Sequence, residues 1–252
     1  MKHSAIGALI IGDEILTGKR QDKHFVHVIA TLAARGLTLD YAHYLGDDRE
    51  RLTAMLRETF ARGDIVFSFG GIGATPDDHT RQAAAAALGV ALELHPEAVR
   101  EIEARFGAEA HPNRVRMAEF PAGSRIIPNP VNRVAGFAIR THHFFPGFPQ
   151  MAWPMLDWVL ANDYPDLRRE PEVERTLVVY DAGESQLVPL MEDNVARFPS
   201  VKLFSLPTFT TDGSRRLELG VRGRVADVEP AFAHLREGVQ ASGFRFEQLD
   251  GA

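Results

Sequence analysis

Three short stretches of the chain combine residue types that could handle a phosphorylated ligand. The longest is Gly70-Gly71-Ile72-Gly73-Ala74-Thr75-Pro76-Asp77-Asp78-His79-Thr80. Glycines at 70, 71 and 73 let the backbone turn sharply and bring its N–H groups close to a ligand. The helix announced by Thr-Pro-Asp-Asp would aim its unpaired N–H groups and positive dipole end at the same place. Such a turn can hold an anion, or it can be a tight strand-to-helix connector. Its spacing is neither the dinucleotide fingerprint nor the Walker loop, whose lysine is missing. The other two stretches are Gly12-Asp13-Glu14 and Gly46-Asp47-Asp48. A carboxylate beside a phosphate loop repels the ligand unless a cation bridges them. Asp78 with Asp13, Glu14 and Asp47 therefore reads as an oxygen-donor set for Mg²⁺ or a similar divalent ion. The plainer alternative is helix capping, which suits Asp77 and one of Asp47 and Asp48. Lys19, Arg20 and Lys23 are either solvated surface or a phosphate clamp.

The elements needed to position these residues can be read in order. Ala5 to Ile11 is a buried strand; a helix starts at Asp22, with Phe25, Val28, Ile29 and Leu32 at helical spacing, and stops at Gly36. Leu37 to Leu45 is a second strand, followed by a helix with Leu52, Met55, Leu56 and Phe60 inward and Gly63 as terminator. Ile65 to Phe69 is the third strand, leading through the glycine loop into an alanine-rich helix that ends before Gly89. A short strand over Val90 to Leu94 and a helix from Pro96 to Phe106 follow. The alternation predicts a mostly parallel sheet covered on both faces, with its ligand outside the carboxyl ends of the strands. From Ala108 to Pro130, prolines and Arg114, Arg116 and Arg125 predict a surface run. Gly136 to Arg140 and His142 to Phe145 read as a hairpin with His142 and His143 in its turn, where no zinc-binding pattern is present. Pro146-Gly147-Phe148-Pro149 then opens a helix carrying Met151, Met155, Leu156, Val159 and Leu160.

A boundary is expected near Asp163–Pro171, dividing domains at 1–165 and 172–252. Beyond it, strands and helices follow as βαββαβ: Arg175–Tyr180, Glu184–Phe198 (Leu187, Leu190, Met191 and Val195 on one face), Val201–Leu206, Arg216–Val221, Ala226–Ala241 and Phe244–Leu249.

Composition narrows the function classes. The 252 residues are 45% hydrophobic and 25% charged, as in ordinary globular proteins. A net charge of −6 without a basic stripe argues against a general nucleic-acid binder. The chain has no cysteine, which excludes disulfides, thiolate metal sites and cysteine nucleophiles. Ser68, Ser185 and Ser205 lack a nucleophile-elbow context. Met1 to Ser4 lead into an apolar segment too short for a secretion signal, and no run is long enough to span a bilayer. A cytoplasmic protein with no membrane partner is expected.

The Gly70–Thr80 stretch resembles the signature loop of the molybdopterin-binding (MoaB/Mog-like) domain family. Its Thr-Pro-Asp-Asp version is similar to that of the competence/damage-inducible CinA proteins and of the amino-terminal domain of eukaryotic FAD synthases. Pro128-Asn129-Pro130, Gly136-Phe137-Ala138 and Pro146-Gly147-Phe148-Pro149 resemble the CinA family as well. The resemblance covers nearly the whole chain and is strongest over residues 4–90 and 124–152. It implies an α/β fold, a three-layer mostly parallel sheet, followed by a small α+β KH-like domain. It implies a phosphorylated pterin or nucleotide ligand held by Gly70, Gly71, Ile72, Gly73, Ala74, Thr75 and Thr80, with Lys19, Pro146 and Gly147. Asp78, Asp13 and Asp47 are then the catalytic residues, and these with Glu14 hold a divalent metal of Mg or Co type. CinA-like and FAD-synthase-like proteins are associated with ADP-ribose or FAD hydrolysis, so the resemblance implies a metal-dependent nucleotide pyrophosphatase and a homo-oligomer. A non-catalytic molybdopterin-binding protein of molybdenum cofactor metabolism, or a regulatory protein with a vestigial pocket, are the other readings. The chain departs from its relatives at Asp22-Lys23-His24, where they carry Asp-Thr-Asn. The deamidase domain that ends many full-length CinA proteins has no counterpart in these residues, and that activity is not expected.

Overall fold

A computed structural model describes residues 5–209 and 215–249; Met1 to Ser4, read above for a signal, lie outside them. The chain divides into two units, Met1–Arg168 and Arg169–Ala252.

In the first unit, β1 (Ile6–Ile11), α1 (Asp13–Leu16), α2 (His24–Ala33), β2 (Tyr41–Leu45), α3 (Arg49–Arg62), β3 (Ile65–Phe69), α4 (Thr80–Leu88), β4 (Leu92–Leu94) and α5 (Pro96–Phe106) come first. Two 3₁₀ turns, β5 (Glu119–Pro121), β6 (Arg125–Ile127), β7 (Gly136–Ile139), β8 (His142–Phe145) and α6 (Pro149–Asn162) complete it. The main sheet runs β2-β1-β3-β8-β7-β6. β2, β1, β3 and β8 are mutually parallel, and β7 is antiparallel to both its neighbours. Both sheet faces are buried, which is why β1 and β3 read as unbroken apolar runs. The period-2 alternation still sorts their side chains. Leu9, Ile11 and Val66 pack with Leu52, Leu56 and Phe60 of α3, Ala83 and Ala84 of α4 and Ile102 of α5. Ile6, Ile65, Phe67 and Phe69 pack on the other face with Val28 and Leu32 of α2 and Met155, Leu156 and Val159 of α6.

The structure corrects the sequence reading at several points. The 108–130 segment is not a surface run: Ala110, Val115, Ala118, Phe120 and Ile127 are buried, β5 pairs with β4, and β6 forms a sheet edge on β7. Three-residue strands between prolines are too short for alternation to show. His142 and His143 are not in a turn but on β8, both buried. Their hairpin closes through Arg140, in a left-handed conformation (φ 52°), and Thr141. β2 begins only at Tyr41, because the Asp40 carboxylate takes the Ile6 N–H (2.7 Å) that a strand neighbour would otherwise accept. Ile29 and Val195 face outward, 42% and 52% exposed, rather than into a core.

The second unit holds β9 (Val173–Tyr180), α7 (Glu184–Arg197), β10 (Lys202–Phe209), β11 (Arg215–Gly223), α8 (Val225–Ala241) and β12 (Phe246–Leu249). Its sheet, β10-β11-β9-β12, is antiparallel throughout and packs Leu177, Val179, Leu217, Leu219 and Val221 against Leu187 of α7 and Val228, Phe232 and Leu235 of α8. Among the described residues no helix is long and apolar enough to cross a membrane.

Candidate functional site

The carboxyl ends of the four parallel strands open onto one cavity of about 630 Å³. Gly70, at the exit of β3, sits where three of them meet. Its φ is 104°, and a Cβ there would lie 2.2 Å from the Ile11 carbonyl oxygen at the end of β1. Its N–H donates to the Phe145 carbonyl at the end of β8 (3.0 Å), and its Cα would be 3.4 Å from a Cβ on Gly147. Gly71 is left-handed as well (φ 69°), with the Thr80 hydroxyl where its Cβ would be. Only glycine fits either place.

The loop is pinned from behind. Thr80 is fully buried; its hydroxyl donates to the Gly70 carbonyl (3.0 Å) and its N–H to the Gly71 carbonyl (3.0 Å). Arg81, 2% exposed, donates to the Gly73 carbonyl. In a trans peptide the C=O and the following N–H point opposite ways. Fixing the carbonyls of Gly70, Gly71 and Gly73 thus turns the N–H groups of Gly71, Ile72 and Ala74 the other way. Among the described residues, these N–H groups and that of Gly73 take no protein acceptor. The Thr75 N–H is spent: it donates to the Asp78 carboxylate (2.9 Å), as does the Thr75 hydroxyl. Thr80 therefore orients the loop instead of lining the cavity, and the sequence-expected cap Asp77 is no cap. His79 stands at the N-cap of α4 without a side-chain bond, while Asp77 and Asp78 line the cavity.

The acidic residues approach from two other strand exits. Asp48 caps α3 by accepting from the Arg51 N–H (2.9 Å), which leaves Asp47 to line the cavity. Asp13 and Asp47 clasp each other: the Asp13 N–H donates to Asp47 Oδ2 (2.9 Å) and the Asp47 N–H to Asp13 Oδ1 (3.2 Å). Asp13 itself is exposed behind this clasp, and the Glu14 carboxylate folds over Gly12 into the cavity wall. Burial, and after it the charges of Asp13, Glu14 and Asp77, hold the Asp47 carboxyl above the usual range, against the lowering effect of the Asp13 N–H. Among the described residues no three acidic or histidine side chains stand ready as a metal cluster. Asp78 is turned toward Thr75 and makes no hydrogen bond to Asp13 or Asp47 among the described residues. Lys19 is exposed outside the cavity, and Arg20 is the cation that lines it.

Much of the remaining lining is apolar: Phe106, Met117, Val134, Phe148 and Met151, with Pro146 and Gly147 at the β8 exit beside Gly70. Asn129 and Asn132, also lining, shape the turn between β6 and β7. Asn129 donates to the Val134 carbonyl (3.0 Å), and Asn132 accepts from the Val134 N–H and donates to Met151 Sδ (both 3.0 Å). His24 stands behind Gly147. Its ring stacks on Phe69 (4.5 Å between centroids) and its Nε2 meets the Gly147 carbonyl (3.1 Å).

Sequence reasoning missed Phe106, Met117, Asn129, Asn132, Phe148 and Met151 as cavity residues, and assigned Arg81 no role. Pro-Asn-Pro at 128–130, a turn signal in a segment otherwise read as loop, was the available clue.

Comparison with known proteins places this geometry. Residues 7–169 match the family model described as "Probable molybdopterin binding domain". A CinA-like protein of Anaeromyxobacter sp. (strain Fw109-5) is 34% identical over 197 residues, 73% of this chain and 48% of that protein. A CinA-like protein of Citrifermentans bemidjiense is 35% identical over 206 residues, 79% of this chain and 50% of that protein. The chain thus spans about half the length of the curated relatives it matches. The crystal structure of the protein CinA, with unknown function, from Thermoplasma acidophilum superposes with a TM-score of 0.58 at 26% identity, covering 64% of this chain and 98% of that one.

Proposed function

The chain belongs to the molybdopterin-binding domain family in its CinA-like form, and on that premise we propose that its cavity binds a phosphorylated ligand bearing a flat heterocycle and hydrolyses a nucleotide pyrophosphate bond. The observation that carries the binding half is the mixed lining of one cavity. Loop N–H groups without protein acceptors border a space also lined by Phe106, Met117, Phe148 and Met151. Phosphate suits the first and a pterin or adenine ring the second.

The donor chemistry of the rim fits a divalent ion. Mg²⁺ is commonly held by one or two carboxylates completed by substrate phosphates and water. Asp47 and Glu14 would hold it, with Asp13 keeping Asp47 in place and Asp78 across the loop. Burial, and after it the neighbouring carboxylates, raise the Asp47 carboxyl, and such a charge would offset both. When bound, the ion would neutralise phosphate charge and acidify a water molecule. The chain's own groups do the rest. The N–H groups of Gly71, Ile72, Gly73 and Ala74 would hold one phosphate, and Arg20 is placed for the other. Water attacks one phosphorus, the bridging P–O bond breaks, and a rim carboxylate takes the water's proton.

A binding protein without turnover is the second reading. The engagement of Asp78 with Thr75 favours it, since one oxygen of that carboxylate already accepts two hydrogen bonds.

Phosphorus NMR with ADP-ribose or FAD, under Mg²⁺ and Co²⁺ separately, tests the proposal. New monophosphate signals are expected, and they should vanish in both Asp47→Asn and Asp78→Asn. Pyrophosphate signals that persist under every metal would overturn hydrolysis of these substrates. Calorimetry with the same ligands would then test binding alone.

A further inference from the structure

The side chains lining the cavity carry four carboxylates, Glu14, Asp47, Asp77 and Asp78, against one cation, Arg20. For a cavity meant to receive phosphate this balance is unfavourable. A second cation lies directly beneath the loop. Arg81 is 2% exposed, so its guanidinium is largely withdrawn from water. Every close acceptor it has is a neutral carbonyl: Gly73 through Nη2, and Arg116 and Glu119 (3.3 Å) through Nη1. Two carboxylates act on it: Glu119 stays 3.9 Å from Nη1 with 37% of its side chain exposed, and Asp78 makes no hydrogen bond to it among the described residues; its Nε is buried without an acceptor. A buried cation with so loose a counter-charge keeps most of its field, and low dielectric lets that field reach further than a surface charge would. Part of it is relayed through a peptide bond. The Gly73 carbonyl that accepts from Arg81 belongs to the same unit as the Ala74 N–H, one of the groups turned toward the cavity. A charge-assisted bond on one end of that unit polarises the other.

We propose that Arg81 is the electrostatic floor of the phosphate subsite, a positioning residue that attracts the ligand's phosphate through the loop without touching it. It thereby fills the place that a lysine within the loop would take in a Walker-type turn. The same side chain also ties the loop to the segment bearing Met117, through the Arg116 carbonyl. The proposal rests on the reading of the cavity as a phosphate site.

The test separates charge from tethering. Binding of the methylene-bridged analogue of ADP-ribose, which cannot be hydrolysed, is measured by calorimetry with magnesium present. Inorganic pyrophosphate serves as a second probe. Arg81→Gln is expected to weaken both about tenfold or more, and Arg81→Lys, which keeps the charge but loses the fork, to weaken them less. Glu119→Gln removes the loose counter-charge from a half-exposed position that the fold tolerates, and is expected to tighten both by about threefold. A merely structural Arg81 predicts equal losses in Arg81→Gln and Arg81→Lys, so that comparison decides the matter, and Glu119→Gln checks that charge at this place reaches the ligand. Equal losses in the two Arg81 variants together with unchanged affinity in Glu119→Gln would overturn the proposal and leave the phosphate site standing. Wild-type protein that binds neither probe would overturn both.

Discussion

The convergence of three strand exits on Gly70 makes a measurable demand on the chain. An alanine there would carry two costs. Its φ of 104° lies where an L-residue is strained, worth about 1–2 kcal/mol. Its Cβ would sit 2.2 Å from the Ile11 carbonyl oxygen, more than about 1 Å inside van der Waals contact. That oxygen is backbone at the end of β1 and cannot rotate away, so β1 and β3 must part at their exits, adding about 1–3 kcal/mol. Gly89 supplies the control. It too is left-handed, at 69°, but a Cβ there meets nothing within 4 Å, so Gly89→Ala should cost only about 1 kcal/mol. Both tryptophans, Trp153 and Trp158, lie in α6, so their fluorescence reports unfolding of the first unit alone. With a urea slope of about 2 kcal/mol/M, the midpoint should fall by about 0.5 M in Gly89→Ala and about 1.5 M in Gly70→Ala. Gly70→Ala should also lose binding of the methylene-bridged ADP-ribose analogue, because the carbonyl that Thr80 holds is displaced. Equal midpoint losses in the two variants, with ligand binding kept in Gly70→Ala, would refute the claim that close approach at Gly70 shapes the loop.

Two further predictions concern buried histidines of the same unit. Burial, and after it the neighbouring His143, pushes His142 down to about 3, and burial lowers His143 and His24 as well. Because these rings are neutral when folded but protonate near 6.5 when unfolded, their contribution is intact above pH 6.5 and lost as pH falls below it. The urea midpoint should therefore drop through this window, and His142→Phe, which keeps the stack on Phe60, should flatten the dependence by about 1.4 kcal/mol per pH unit; an unchanged slope would contradict the assignment. The Gly147 carbonyl can only accept, so His24 Nε2 carries the proton and donates to it. His24→Ala is expected to weaken analogue binding about tenfold through the slackened β8 exit, while His24→Asn stays within about threefold of wild type; equal losses in calorimetry would show that the bond to Gly147 is not what matters.

What could be read in advance follows physical range. Several local signals held: Pro96 opens α5 as proline should, and Gly63 and Gly89 end their helices in left-handed conformations. The edge of the sheet that holds the cavity was legible too, because Gly12, Gly46 and Gly70 each follow an apolar strand. Long-range pairings were not. Nothing within residues 108–130 announces that Ile127 joins the sheet or that Met117 faces the glycine loop from some 45 positions away in the sequence. His142 and His143 misled because two polar residues beside a turn look solvated, whereas the Thr59 hydroxyl (2.8 Å) and the Asp163 carboxylate (3.3 Å) make burial affordable for one nitrogen of each. Arg81 was hidden for the same reason: an arginine near a helix start is ordinarily surface, and only the fold brings three carbonyls to it.

The charges around the cavity constrain how the proposed ligand and ion would enter. A free phosphate ester in the cavity shares it with Asp47, Glu14, Asp77 and Asp78 as well as the loop N–H groups, and a free cation shares it with Arg20, with Arg81 beneath the loop. Each alone is held by one half of the site and opposed by the other. Bound together, each cancels the repulsion that the other meets, so each should raise the affinity of the other by the same factor, as thermodynamic linkage requires. The clasp between Asp13 and Asp47 suits this arrangement. It fixes the backbone of two strand exits through one carboxylate oxygen of each residue and leaves the second oxygen of Asp47, a cavity-lining residue, without that bond, where negative charge is costly until a cation arrives. On the proposed reading, the acidic rim is therefore not in conflict with phosphate binding; it makes that binding conditional on the ion that hydrolysis needs.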